Sequence, residues 1–378
     1  CMRRMTRTLV LAGGAVLVSL AGCSADGGAA ADPATDAAEE AGDPGPVDAD
    51  AGDGSGADPG APDVGDAEDE GQGDAGEEAG GDADVPPPVE GPGAAGALAS
   101  THADTVPIPG GGEREVVATV CTPSPDGGVT TGAGPFPLVV LSPGFGTDKS
   151  SYDSYCRHLA SWGFVVVLQN YSESSFKMVH AHLAEDVSRI IDWVASPQSG
   201  LADRLDVERV ATAGHSLGGK VSLLAATIDP RVKAVVGWDP VVGGAPGSEP
   251  DPAPVVDVPL VVLGETTDAV PGPYGQACAP AGQNFQAVFE AAKPPAIQVT
   301  VAGANHMAWV DDPDCGLPCL VCNEGTSDPA WVRMLTRRTT VAFLRRHLLG
   351  DAEMDAFLTG EAMQADEAAG RVRVATKP

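Results

Sequence analysis

The sequence predicts an α/β domain with a mostly parallel central sheet and helices on both faces, and three observations carry that expectation. Short, continuous apolar runs alternate with segments of helical periodicity, which is how parallel strands covered on both sides read. One such run, Val207 to Ala213, leads into Gly214-His215-Ser216-Leu217-Gly218-Gly219 and then into a small-residue helical stretch, Lys220 to Ile228. A histidine, His306, follows the last apolar run. The hexapeptide fits G-x-S-x-G, a sharp strand-to-helix turn that strains the serine and projects its hydroxyl above the sheet. The flanking strand and helix give the motif its weight, because the letters alone recur by chance in glycine-rich loops.

The domain occupies only part of the 378 residues. Arg3, Arg4 and Arg7 precede an apolar run from Leu9 to Ala21, and Met2 is the expected start, with Cys1 incidental. A basic segment followed by a short apolar run is a secretory signal, and the run is too short to span a membrane. It ends in Leu20-Ala21-Gly22-Cys23. That tetrapeptide resembles a bacterial lipobox, which implies cleavage after residue 22 and lipid on Cys23. From Ser24 to Ser100 the chain collapses to Ala, Gly, Asp, Glu and Pro, with 14 Asp, 7 Glu and no Lys or Arg. This stretch carries −21 of the net charge of −31. It has little apolar surface to bury and repels itself, so residues 23–100 are expected to be an extended, disordered tether. Its Asp spacing follows no calcium-loop pattern, and no basic face is evident for nucleic acid.

The folded part is expected at 101–351, with 352–378 as a tail. Arg114 to Cys121 alternates valine with polar residues and reads as an edge strand. Pro135 to Leu141 is a buried parallel strand ending in Ser142-Pro143-Gly144-Phe145-Gly146. Tyr152 to Trp162 reads as a helix stopped by Gly163, and Phe164 to Leu168 as the next strand. Val179, Leu183, Val187, Ile190, Ile191 and Val194 recur at helical spacing and mark a crossover helix. After the serine turn come strands at Val232–Gly237, Pro259–Gly264 and Ala296–Ala302. Asp328-Pro329, a cap residue followed by proline, opens the final helix.

Ligands of such sheets bind at the carboxyl ends of the strands, so residues just past strand ends are the candidates for chemistry. A serine hydroxyl needs a general base and a group that orients the base. In the chain order Ser, acid, His, the base is His306. His102 lies near the tether, His158, His180 and His182 precede the serine, and His347 is in the last helix. His215 is expected to point away from the active face. Asp239 and Asp268 each follow a strand, and either could orient the imidazole. The oxyanion needs two inward N–H groups, expected from Leu217 and from Phe145. No metal or cofactor site is expected.

Six cysteines, Cys121, Cys156, Cys278, Cys315, Cys319 and Cys322, fall in the domain. In an exported chain they allow up to three disulfides, with 15 pairings open. Cys315, Cys319 and Cys322 have the spacing of iron–sulfur ligands, but such clusters are built in reducing compartments.

Four stretches then narrow the family: Gly214 to Lys220, Trp238-Asp239-Pro240-Val241, Cys278-Ala279-Pro280-Ala281-Gly282-Gln283-Asn284, and Asn305-His306 with Asp311-Asp312. Together they resemble the chlorophyllase-like branch of the α/β-hydrolases over about Pro135 to Leu349. The resemblance implies an α/β-hydrolase fold and a carboxylic-ester hydrolase whose acid is Asp239. Pro143-Gly144-Phe145 and Leu159 to Val167 are also similar to bacterial cutinases and polyester hydrolases, which would favour Asp268. Leu217 stands where plant chlorophyllases usually carry arginine. The expectation is a monomeric serine esterase, lipid-anchored to a bacterial membrane, acting on a small or lipid-like ester. A cutinase or lipase is the alternative within enzymes, and a non-catalytic lipoprotein that binds an apolar ligand is the alternative outside them.

Overall fold

The computed structural model describes residues 10–11, 14–15, 98–107, 115–123, 134–173, 178–243, 253–311 and 321–378. Cys23 and residues 24–97 of the expected tether lie outside the described residues, as do Cys315 and Cys319. Val10–Leu11 and Gly14–Ala15 form a small antiparallel pair of their own. No helix among the described residues is long and apolar enough to cross a membrane.

Nine strands form the main sheet: β1 (Leu98–Pro107), β2 (Glu115–Thr122), β3 (Phe136–Ser142), β4 (Val165–Gln169), β5 (Leu205–His215), β6 (Val232–Trp238), β7 (Leu260–Gly264), β8 (Ala296–Val301) and β9 (Val372–Lys377). Their spatial order is β9-β8-β7-β6-β5-β3-β4-β2-β1. The six from β8 to β4 in that order are parallel, and β9, β2 and β1 are antiparallel additions. Parallel neighbours need crossovers, and among the described residues four helices lie in them, α1 (Asp153–Ser161), α2 (His180–Val194), α3 (Leu217–Ile228) and α4 (Phe285–Ala291), while α5 (Pro329–Leu344) follows β8 on the way to the antiparallel β9. Asp328 caps α5 by accepting from the Ala330 amide at 2.9 Å. Two further short helices, α6 (Asp355–Leu358) and α7 (Glu361–Ala368), precede β9.

The sheet separates two apolar cores. Tyr155, Leu159, Val332, Leu335 and Phe343 of α1 and α5 pack on one face. Leu183, Ile190, Val221, Leu223 and Val288 of α2, α3 and α4 pack on the other. This is the two-faced burial that uninterrupted valine-rich strands anticipate. Cys121–Cys156 ties β2 to α1, and Cys278–Cys322 ties the segment after β7 to the one after β8.

Three expectations are corrected. The stretch Arg114 to Cys121 is not at the edge, because β2 pairs with both β1 and β4. The edge is β1, which starts at Leu98, inside the expected tether, and its sequence Leu-Ala-Ser-Thr-His-Ala-Asp-Thr-Val-Pro lacks alternation. Residues 352–378 are not a tail: β9 pairs along the whole of β8. Leu358 and Met363 are buried in the same core as Val299 and Val301.

Candidate active site

The registers bring the carboxyl ends of four strands level: Ser142 pairs with Gly214, Gly214 with Gly237, and Gly237 with Val262. Pro143 to Phe145, Ser216, Asp239 and Glu265 therefore leave the sheet at one end.

Ser216 sits between β5 and α3 with φ 56° and ψ −118°. Such a conformation costs a non-glycine residue about 1–3 kcal/mol and persists only where its surroundings over-determine it. Its amide donates to the Trp238 carbonyl at 2.9 Å, and its carbonyl accepts from Gly219 at 3.0 Å and Val241 at 3.2 Å. A Cβ on Gly214 would overlap the Gly218 backbone, and one on Gly218 would overlap the Ser142 carbonyl. The glycines are there because strand, turn and helix touch backbone to backbone.

His306, just beyond β8, places Nε2 2.9 Å from the Ser216 hydroxyl oxygen and Nδ1 2.6 Å from Oδ2 of Asp239. A carboxylate can only accept, so Nδ1 carries the proton and Nε2 is left to accept from the serine hydroxyl. Burial pulls the His306 pKa down, but the hydrogen bond to Asp239 and then the charges of Asp239 and Asp268 outweigh it and leave it above 6.5. Asp239 is itself at φ 42° and donates its amide to Leu263 at 2.7 Å.

Asp268, the alternative acid, is not on the imidazole. Its Oδ2 accepts from the His306 backbone amide and its Oδ1 from the Asn323 amide, each at 2.7 Å. The side chain that could equally have oriented the ring instead seats the backbone on which the ring is mounted. Three other histidines are engaged elsewhere: His182 with Glu173, His347 against Phe343 and His158 against Trp162.

Leu217 opens α3, so its amide is among those at a helix N-terminus with no intrahelical acceptor. Phe145 stands at the tip of the turn after β3, 39% exposed. Its neighbour Gly144 is turned the other way, donating its amide to the Tyr152 hydroxyl at 3.1 Å.

That hydroxyl begins a connection the sequence did not reveal. His215 does not leave the active face idle. It is fully enclosed, with Nδ1 2.8 Å from the Tyr152 oxygen and Nε2 2.8 Å from the His306 carbonyl. The carbonyl accepts, so Nε2 carries the hydrogen, and Nδ1 accepts the tyrosine proton. Burial and the neighbouring His306 hold the His215 pKa well below 6.5, which keeps the ring neutral as this chain requires. A continuous run of hydrogen bonds joins the turn after β3 to the turn carrying His306.

Among the described residues, the one grouping of metal-ligating types is Asp268 with Cys278 and Cys322. Both sulfurs are spent in the disulfide and both Asp268 oxygens on amides, so the set does not fit an ion. Cys322 in this bond also removes the third residue of the iron–sulfur spacing.

A sheet in this order, with a strained serine at the turn after its central strand, defines an α/β-hydrolase. The chain belongs to the chlorophyllase family, whose profile matches residues 120–367, and is thereby a carboxylic-ester hydrolase. It is 28% identical over 240 residues to "Chlorophyllase-1, chloroplastic" of Citrus sinensis, covering 59% of this chain and 71% of that one. It is 26% identical over 247 residues to "Chlorophyllase-2" of Arabidopsis thaliana, covering 58% and 75%. The Arabidopsis "Chlorophyllase-1" is 25% identical over 243 residues, with 58% and 75% covered.

Proposed function

We propose that this esterase works through Ser216, His306 and Asp239. Ser216 attacks the ester carbonyl while His306 Nε2 takes its proton and returns it to the leaving alcohol. Asp239 holds the ring and offsets the imidazolium charge, and a water activated by the same base then hydrolyses the acyl-enzyme. The Leu217 and Phe145 amides receive the oxyanion. The observation that supports this reading most is the chain of 2.9 Å and 2.6 Å contacts through His306, buried and already in the required tautomer. The substrate class is an ester with an apolar portion, which the exposed Phe145 ring and Leu217 would flank. Leu217 brings no charge to that flank, so the acyl or alcohol part need carry no anion. Ser216→Ala should abolish hydrolysis of a chromogenic ester and labelling by a fluorophosphonate while leaving the circular dichroism unchanged. A variant that still turns over the ester would sink the assignment.

The protein is further proposed to act as a monomer on a lipid anchor at Cys23, with the acidic segment as a spacer from a bacterial membrane. The basic, apolar and Leu-Ala-Gly-Cys segments support that placement. Cys23→Ser should shift the protein from the membrane fraction to the soluble one; unchanged fractionation and unchanged mass of the mature N-terminus would reject the anchor.

A further inference from the structure

Three acids crowd the His306 imidazole, and the roles above use two of them. Glu265 follows β7 directly, as Asp239 follows β6, and those strands pair in parallel with Trp238 opposite Leu263. The two acids therefore leave adjacent strand ends into one buried space, Asp239 at 0% exposure and Glu265 at 3%. Glu265 Oε2 accepts from the amides of Thr267 and Asp268. Its other oxygen, Oε1, is buried without a donor, and Oδ1 of Asp239 makes no well-formed hydrogen bond, although the Glu265 backbone amide lies near enough to that carboxylate to favour its charge. Asp268 has no such gap, because two amides fill its oxygens. A buried acceptor left without a donor is costly, and two ionised carboxylates can offer each other none. One proton on one of them satisfies both.

We propose that Glu265 is a positioning residue held as a neutral carboxylic acid, its Oε1–H donating to Oδ1 of Asp239 and fixing the carboxylate that receives the His306 Nδ1–H. This rests on the roles given above to Ser216, His306 and Asp239. The proton belongs on Glu265 because Asp239 already accepts the His306 Nδ1–H and must offset the imidazolium that forms in turnover, whereas Glu265 faces no such group. Burial and then the charge of Asp239 push the Glu265 carboxyl up to about 7. Burial raises Asp239 too, but the hydrogen bond and charge of His306 pull against it. The titratable groups facing Glu265 are Asp239 from the end of β6, Asp268 from its own loop and His306 from the turn after β8.

The consequence is a second limit on the pH profile. Below the His306 pKa the base is protonated and turnover falls. Above the Glu265 pKa the shared proton is lost, two anionic oxygens face each other in a dry site, and Asp239 no longer holds the ring. Such limits belong to the coupled set rather than to one residue.

The test is kcat/KM against pH on a soluble chromogenic ester, using the full chain with Glu265→Gln and Glu265→Ala. Glutamine keeps an oxygen for the Thr267 and Asp268 amides and donates an N–H to Asp239 at every pH. The expected result is a wild-type activity falling about tenfold between about pH 7 and about pH 9, and a glutamine variant with no such fall. The glutamine variant should keep its acid limb in place, since no charge has been removed. The alanine variant should lose about 10–100-fold in kcat with KM little changed, as expected when an orienting group is withdrawn. A glutamine variant with the same alkaline fall overturns the proposal. An acid limb shifted to lower pH does so too, because it would mean that a negative charge had been removed from beside His306. If the alanine variant fails to fold, the glutamine profile decides alone. Turnover surviving in Ser216→Ala would instead remove the underlying catalytic roles, so the two failures are distinguishable.

Discussion

Asp239 and Asp268 are both fully buried and both bonded to His306, one to its ring and the other to its backbone. Their replacements should separate cleanly. Asp239→Asn leaves the shape but presents a donor where the imidazole needs an acceptor, so kcat should fall by about 10⁴-fold, as for the orienting acid of other such sites. The His306 pKa should drop as well, because the hydrogen bond and charge that hold it above 6.5 are gone. Asp268→Asn sets an amide against two backbone N–H groups, which should cost about 1–3 kcal/mol of stability with the smaller loss of kcat. Ester kinetics and thermal melts on the two variants check this, and equal kcat losses would contradict the division. At this scale the sequence was partly legible. Spacing alone placed both acids just past strand ends and could not choose, because a four-residue loop puts either within reach. Only the Asp-Pro-Val resemblance favoured Asp239. Nothing in the pattern marked Glu265, whose part depends on which oxygens the fold leaves without donors.

At the scale of elements, the readable pieces are those whose burial dictates composition. The strands β3 to β8 are short apolar runs because helices cover both faces, and each was placed within a residue or two. The serine turn was readable for a related reason: Gly214 and Gly218 have no room for a Cβ, so the motif is a packing requirement as well as a chemical one. The pieces that escaped have weak local signals. Helix α4 is seven residues long, too short to show a period. Strand β1 is polar at half its positions with no regular alternation, since an edge strand need not bury both faces. The Tyr152–His215 connection escaped because its partners lie 63 residues apart and neither residue type announces a pairing. Its hydrogens run in one direction, from the Gly144 amide through the tyrosine and His215 to the His306 carbonyl. The turn after β3 and the turn carrying His306 are thus tied together through a buried aromatic pair.

For the whole molecule, the expected division into signal, acidic stretch and domain rests on composition, and composition misleads at the C-terminal limit. Residues 352–378 are rich in Ala, Glu and Asp with isolated apolar residues, and that reads as solvated chain. The isolated residues are the ones that matter: Leu358 and Met363 are buried, and Val372 is buried at the start of β9. Arg338 of α5 pairs with Asp366, and Lys377 donates to the Glu290 and Ala292 carbonyls. Strand β9 covers the edge of β8, which would otherwise expose six residues of unpaired backbone, and exposed edges invite pairing with other chains. The Ala302 amide, just past β8, donates to the Arg371 carbonyl at 2.9 Å, four residues before His306. The segment therefore fixes His306 through the strand that precedes it. A chain ending at Gly350 should melt at lower temperature, aggregate and lose esterase activity. Leu358→Ala and Met363→Ala should each cost about 2–5 kcal/mol, as buried truncations do. The decisive measurement compares melting and kcat of the truncated and full chains. If the shortened protein stayed monomeric and fully active, the strand would be an ornament on the edge rather than part of what holds His306 in place.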